Sequence, residues 1–189
     1  MIMKNTALLI IDIQNDYFPG GILTLDGADV AAEKTSQLLN VFREQKLPIV
    51  YIQHENIKPG TGLMLPGSLG QKINDSVEPE KSEPCFTKHY PNAFWQTELE
   101  TYLKGLNIQH LIIVGMMTHM CVSSTARAAM ERGFLTTIIQ DACATRAIEF
   151  DGTLISAETI HKTALAELTL ISKITSLNDF LDKNFRVKS

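Results

Sequence analysis

The chain switches between short, unbroken apolar runs and longer stretches in which apolar residues recur at helical spacing. Ala7-Leu-Leu-Ile-Ile-Asp-Ile is a run of the first kind. Pro48–Ile52, Cys85–Lys88, Leu111–Val114 and Leu135–Ile139 are others, and a last one lies near Leu170–Ile174. Between them, Ala28–Gln45 sets Val30, Ala31, Leu38, Leu39 and Phe42 at helical spacing until Lys46 and Pro48 stop it. Thr97-Glu-Leu-Glu100 has the form of a capping box, opening a helix to Leu103 with Gly105 past its end. Thr118 stands where it would cap a helix running to about Arg132 and closed by Gly133, and a further helix covers Ala157–Leu168. Ile/Leu/Val runs without polar alternation belong to strands buried on both faces. Interleaved with helices, they predict a mainly parallel sheet inside a three-layer α-β-α fold.

Composition narrows the function classes. The 189 residues show no repeat, linker or composition break, so one domain over residues 1–189 is expected. The net charge is −4 and no like-charged run occurs, which argues against a nucleic-acid partner. The longest unbroken apolar run, Ala7–Ile11, is too short to cross a bilayer, and the first residues lack the order of a secretory leader. Cys85, Cys121 and Cys143 are too scattered for a disulfide framework or a thiolate metal site, which suits a reducing, cytoplasmic setting. Cys85 and Cys143 read as small buried hydrophobes.

In a sheet of this kind ligands sit beyond the carboxyl ends of the strands. The first strand ends at Asp12, followed by Gln14 and Asp16; the third ends at Lys88; the fourth ends at Gly115, with Cys121 six residues on, in the first turn of a helix. Singly, each has a plain structural reading: a turn residue, a solvated lysine, a buried thiol. Together they make a coherent set. A helix start and a lysine charge both favour a thiolate. Asp12 can take the thiol proton and pass it to a leaving amine, and free N–H groups at the helix start can hold an oxyanion. The chemistry described is acyl transfer through a thioester.

These residues carry a resemblance. Asp12-Ile-Gln-Asn-Asp-Tyr-Phe, Lys88 and Gly115-Met-Met-Thr-His-Met-Cys-Val-Ser-Ser-Thr-Ala-Arg-Ala-Ala together resemble the isochorismatase-like cysteine hydrolases, over nearly the whole chain. The resemblance implies a Rossmann-like six-stranded sheet of order 3-2-1-4-5-6 and a triad of Asp12 as base, Lys88 as activating charge and Cys121 as nucleophile. It also implies a cis peptide joining Met116 to Met117, turning the Met117 N–H toward the pocket to form an oxyanion hole with the Cys121 N–H. Metal-dependent nicotinamidases follow strand two with Asp-x-His and a second His. Here the segment is Tyr51-Ile-Gln-His-Glu, so His54 is a lone His, and neither a metal nor another cofactor is expected. His119 stands where nicotinamidases often have Asp and reads as a helix-start or interface residue.

Tyr17, Phe18, Tyr90, Phe94 and Trp95 flank the strand ends. Gln14, Phe18, Tyr90, Trp95 and Met116 are the expected substrate pocket, with one of Phe94 and Trp95 packing the helix start instead. Gln14 orients Asp12, touches Lys88, or makes a plain strand-end hydrogen bond. The loop Gly60–Gly70 reads as a lid or a subunit contact, and its spacing is not that of a phosphate loop. The expected function is hydrolysis of a C–N bond in a small amide, imide or carbamoyl compound. An isochorismatase-type vinyl-ether hydrolase and a non-catalytic scaffold of the same fold are the alternatives. Small-molecule substrate and homo-oligomer are the expected partners, the latter because the resembled family commonly assembles.

Overall fold

The computed structural model describes residues 3–58, 60 and 62–185. Met1 and Ile2, in the segment read for a leader, and Thr61, in the glycine-punctuated loop, lie outside the described residues. The central sheet has six parallel strands: β1 (Thr6–Ile11), β2 (Ile49–His54), β3 (Cys85–Lys88), β4 (His110–Met116), β5 (Leu135–Ala144) and the last, β8 (Lys173–Thr175). Their spatial order is β3-β2-β1-β4-β5-β8. This is the expected order once a two-stranded antiparallel hairpin, β6 (Ile148–Phe150) with β7 (Thr153–Ile155), is counted between the fifth and sixth sheet strands. No apolar run announces that hairpin, because Glu149, Phe150, Thr153 and Leu154 are all exposed.

Two cores form because each strand residue faces the opposite side from its neighbour. Leu8 and Ile10 of β1 pack with Leu38, Leu39 and Phe42 of α1 (Ala28–Glu44) and Phe180 of α5 (Leu177–Asn184). Ala7, Leu9 and Ile11 pack on the other face, with Leu99 and Leu103 of α2 (Leu99–Gly105), Ala126 and Ala129 of α3 (Ser123–Glu131), and Leu165 and Leu168 of α4 (Ala157–Leu168). A strand buried on both faces is apolar at every position, as β1 is.

Neither expected cap forms as read. Thr97 donates its hydroxyl to the Ala93 carbonyl at 2.6 Å and accepts the Leu99 N–H at 3.4 Å, but Glu100 turns to Lys104 and Arg132 instead of closing a box. Thr118 opens a five-residue π-helical turn, Thr118–Val122, and its hydroxyl turns away to the Ala144 carbonyl at 3.1 Å. Cys85, read as buried, is exposed.

Gly115 is where the sheet allows no side chain. Its φ is +129°, and a Cβ there would stand 2.0 Å from the Ile11 carbonyl oxygen. The register between β4 and β5 breaks at the same point: Ile113 pairs with Ile138, but Gly115 pairs with Cys143. The extra β5 residues carry Ala144, Thr145 and Arg146 to the edge where β4 ends. Gly115→Ala should therefore destabilise the protein by about 3 kcal/mol or more in urea unfolding. Gly133→Ala, at positive φ but facing open space, should lose only about 1 kcal/mol.

Candidate functional site

The three residues expected from strand ends meet. Asp12 follows β1 in a left-handed conformation, φ 51°, uncommon for a residue with a side chain. Its Oδ2 lies 2.7 Å from Lys88 Nζ, and both side chains are wholly buried. Lys88 Nζ lies 3.2 Å from Cys121 Sγ. Cys121 is buried at the fourth position of the π turn. The Met116–Met117 peptide is cis. The Met117 carbonyl accepts the N–H groups of Met120 at 3.0 Å and Val122 at 3.3 Å, the two residues that flank Cys121.

The sulfur's environment reverses one expectation. A helix start and a lysine charge favour thiolate, and Lys88 does pull in that direction. Burial and the Asp12 charge outweigh it and push the Cys121 thiol up to about 12. At neutral pH the sulfur therefore rests protonated. For Lys88, burial works against the charged form, but Asp12 and the sulfur overcome it, and the ammonium is held above its ordinary range.

His54, set aside as a lone residue by the sequence, touches this cluster: its Nδ1 lies 3.1 Å from Lys88 Nζ. Burial first, then the Lys88 charge, lowers its pKa to about 4, so the ring is neutral. The sequence pattern ends the second strand at Ile52; the structure extends it to His54, which is the register partner of Lys88 on the adjacent parallel strand, so the two side chains share a face.

Gln14 is a strand-end clamp, not a pocket wall. Its Oε1 accepts the His54 N–H at 2.8 Å, and its Nε2 donates to the His54 carbonyl at 2.8 Å and the Gln71 carbonyl at 2.6 Å. It touches neither Asp12 nor Lys88 by any of these bonds. Phe94 is the core member of its pair, stacked on Phe134 at 5.8 Å with Arg132 above it, whereas Trp95 is 53% and Tyr90 40% exposed. Phe18 and Met116 are buried. His119 is tied to the end of β5, its Nδ1 2.6 Å from Thr145 Oγ1.

The glycine-punctuated loop is fastened rather than free. The buried Asp16 carboxylate accepts the N–H groups of Met64 at 2.5 Å and Ile22 at 3.3 Å, and the Asp16 N–H donates to the Gly70 carbonyl at 3.0 Å. A Cβ on Gly70 would fall 2.0 Å from Asp16 Oδ1, so only glycine fits. Arg146 is the other residue the sequence did not single out. Its Nε is buried with no hydrogen-bond partner among the described residues, within electrostatic reach of His119 and of Tyr17, whose hydroxyl in turn feels Cys121 and Asp12. Also among the described residues, no group of three His, Cys, Asp or Glu gathers as a metal shell would, and no helix is long and apolar enough to cross a membrane.

Known proteins share this arrangement of sequence and fold. Residues 6–179 match the Isochorismatase domain model. The chain is 37% identical to the isochorismatase family protein YddQ of Bacillus subtilis strain 168 over 163 residues, covering 86% of this chain and 91% of that protein. A solved structure from Oleispira antarctica matches with TM-score 0.89 at 38% identity, over 96% of this chain and 98% of that one. The ureidoacrylate amidohydrolase RutB of Caulobacter segnis is 26% identical, over 74% of this chain and 72% of that protein.

The histidines supply a pH prediction. His54, His110, His119 and His161 are all lowered, in each case chiefly by burial. A base with a depressed folded pKa stabilises the fold above its unfolded pKa, and that stability drains as pH falls toward the folded value. Unfolding free energy from urea titrations should drop by on the order of 2 kcal/mol between pH 6.5 and 4 through His54 alone. His54→Asn should flatten that part of the curve.

Proposed function

The chain belongs to the isochorismatase family, and from that premise we propose that it is a cysteine-dependent hydrolase opening a C–N bond in a small amide, imide or carbamoyl compound. Cys121 is the nucleophile, Asp12 the base and acid, and Lys88 the fixed charge between them. The observation that carries this reading is the buried Lys88 ammonium, 2.7 Å from a carboxylate and 3.2 Å from a thiol. A purely structural ion pair needs no cysteine. The name of RutB, an amidohydrolase, supports a C–N bond over a vinyl ether.

In this mechanism the thiol stays protonated until a carbonyl carbon arrives. As the S–C bond forms, the thiol proton passes to Asp12 and the carbonyl oxygen becomes an oxyanion, held by the N–H groups of Met117 and Cys121. Such a donor is typically worth about 10²–10³ in rate. Asp12 then gives its proton to the leaving nitrogen, the C–N bond breaks, and an amine or ammonia departs, leaving a thioester on Cys121. Asp12 next draws a proton from water as its oxygen attacks the thioester. The second tetrahedral intermediate collapses to the acid, and the sulfur leaves with the proton held by Asp12. Lys88 remains charged throughout, which offsets the negative charge that develops as the sulfur reacts.

We assign Phe18, Met116, Tyr90 and Trp95 to the substrate's walls, and Arg146 Nε, unpaired in the resting protein, to a substrate oxygen. Arg146→Met should then raise KM by about tenfold, with kcat little changed.

The principal test is ammonia release over a panel of small amides, imides and carbamoyl compounds. Cys121→Ala and Asp12→Asn should each cut kcat by about 10³-fold or more. Undiminished turnover by Cys121→Ala would refute the reading. Pyruvate release from isochorismate that survives Cys121→Ser would move the assignment to a vinyl ether.

A further inference from the structure

An ammonium has three N–H bonds and no lone pair. Around Lys88 Nζ stand three electron-rich partners: Asp12 Oδ2, an ion pair at 2.7 Å, and the hydrogen-bonded His54 Nδ1 at 3.1 Å and Cys121 Sγ at 3.2 Å. Two belong to the triad. The third does not, and nothing in the proposed mechanism uses it. Since Lys88 can only donate, His54 Nδ1 must present its lone pair, which places the ring proton on Nε2. Burial keeps the ring neutral down to about pH 4, so the acceptor is available at any ordinary pH.

The backbone that carries the ring is held in place. His54 ends β2 in register with Lys88, and the Gln14 amide binds its backbone from both sides, at 2.8 Å each. Gln14 is in turn held to Gln71 at 2.6 Å, and Gln71 holds Gly67 of the adjoining loop at 2.6 Å.

We propose that His54 is a positioning residue: its Nδ1 lone pair takes the third Lys88 N–H and holds the full charge between Asp12 and the Cys121 sulfur. The proposal rests on the Asp12–Lys88–Cys121 reading and goes beyond it. Without the third partner a buried N–H is left unpaired, which is expensive at so buried a position. The ammonium then draws toward Asp12 or gives it a proton, and either change weakens the positive potential at the sulfur.

Shape and lone pair can be separated by substitution. His54→Leu keeps most of the bulk and loses the acceptor. His54→Asn loses bulk but sets an amide oxygen close to where Nδ1 stands. The measurement is the rate of alkylation of Cys121 by iodoacetamide in the full-length protein, from about pH 6 to about pH 10. It is read by mass spectrometry on the Cys121 peptide, so that Cys85 and Cys143 do not contribute. His54→Leu should slow the reaction about tenfold near pH 8 and move the profile about one unit upward, because only the thiolate reacts. His54→Asn should restore most of that loss, to within about threefold of wild type. Should Leu react like wild type, or Asn fall as far as Leu, the ring acts by bulk alone and the proposal is overturned. Circular dichroism identifies folded variants, and His54→Met replaces Leu if Leu does not fold. Because the readout needs no substrate, it stands apart from the hydrolase reading, which Cys121→Ala turnover tests separately.

Discussion

A lysine ammonium with no exposed surface is the constraint on which this structure turns. Taking such a charge out of water is costly, and only a counter-charge with a full set of acceptors offsets it. The chain meets that requirement from separate places: Asp12 after β1, His54 at the end of β2 and Cys121 in the turn after β4, all against Lys88 at the end of β3. Register makes this possible. Ile11 lies beside Ile52 on one flank and Gly115 on the other, so the three strands run out at one level. A slip of one residue in any of them would turn its polar end to the opposite face.

The same burial decides the state of the sulfur. A positive neighbour and a helix start would yield a thiolate in a more open site. Here the low-polarity surroundings and the Asp12 carboxylate prevail, and the neutral thiol is the resting form. The cluster at rest is a neutral thiol beside the Lys88–Asp12 ion pair. Ionising the thiol in place would add a second anion to a buried cluster holding a single cation. The proton has a short route to the carboxylate only when a new bond to sulfur compensates for its loss. In the proposed mechanism, a cysteine kept quiet until it is engaged is a consequence of this charge balance.

Much of this was legible in the sequence, for physical reasons that differ by element. The sheet strands were visible because burial on both faces removes polar residues from them, and the sheet order followed from the family resemblance. The hairpin Ile148–Ile155 was not, since its strands are only three residues each and mostly exposed, with no apolar period to betray them. The two caps differ from their reading for related reasons: Thr118 gives its hydroxyl to a carbonyl, and Thr97 does so too while only weakly accepting the Leu99 N–H. In the site, Asp12, Lys88 and Cys121 were found because residue type and strand-end position coincided. The direction of the thiol's shift was not, because proximity of charges can be guessed from a sequence but desolvation cannot. His54 was passed over because it was weighed as a metal ligand rather than as the register partner of Lys88.

The buried polar residues beside the cluster form a frame around it. Gln14 and Asp16 spend their side chains on backbone groups, and Gln71 divides its own between the Gly67 N–H and the Glu55 carboxylate, linking the ends of β1 and β2 to the loop before β3. Their bonds make the reacting edge rigid without occupying it. The exposed residues after Lys88 and the β5 extension that carries Arg146 lie outside that frame. On the proposed reading, exchanges there leave the ion pair and its acceptors untouched, so choosing a substrate and holding the cluster would fall to separate sets of residues. A substitution in the frame should thus be felt in the chemistry of whatever is bound, and one outside it in what binds.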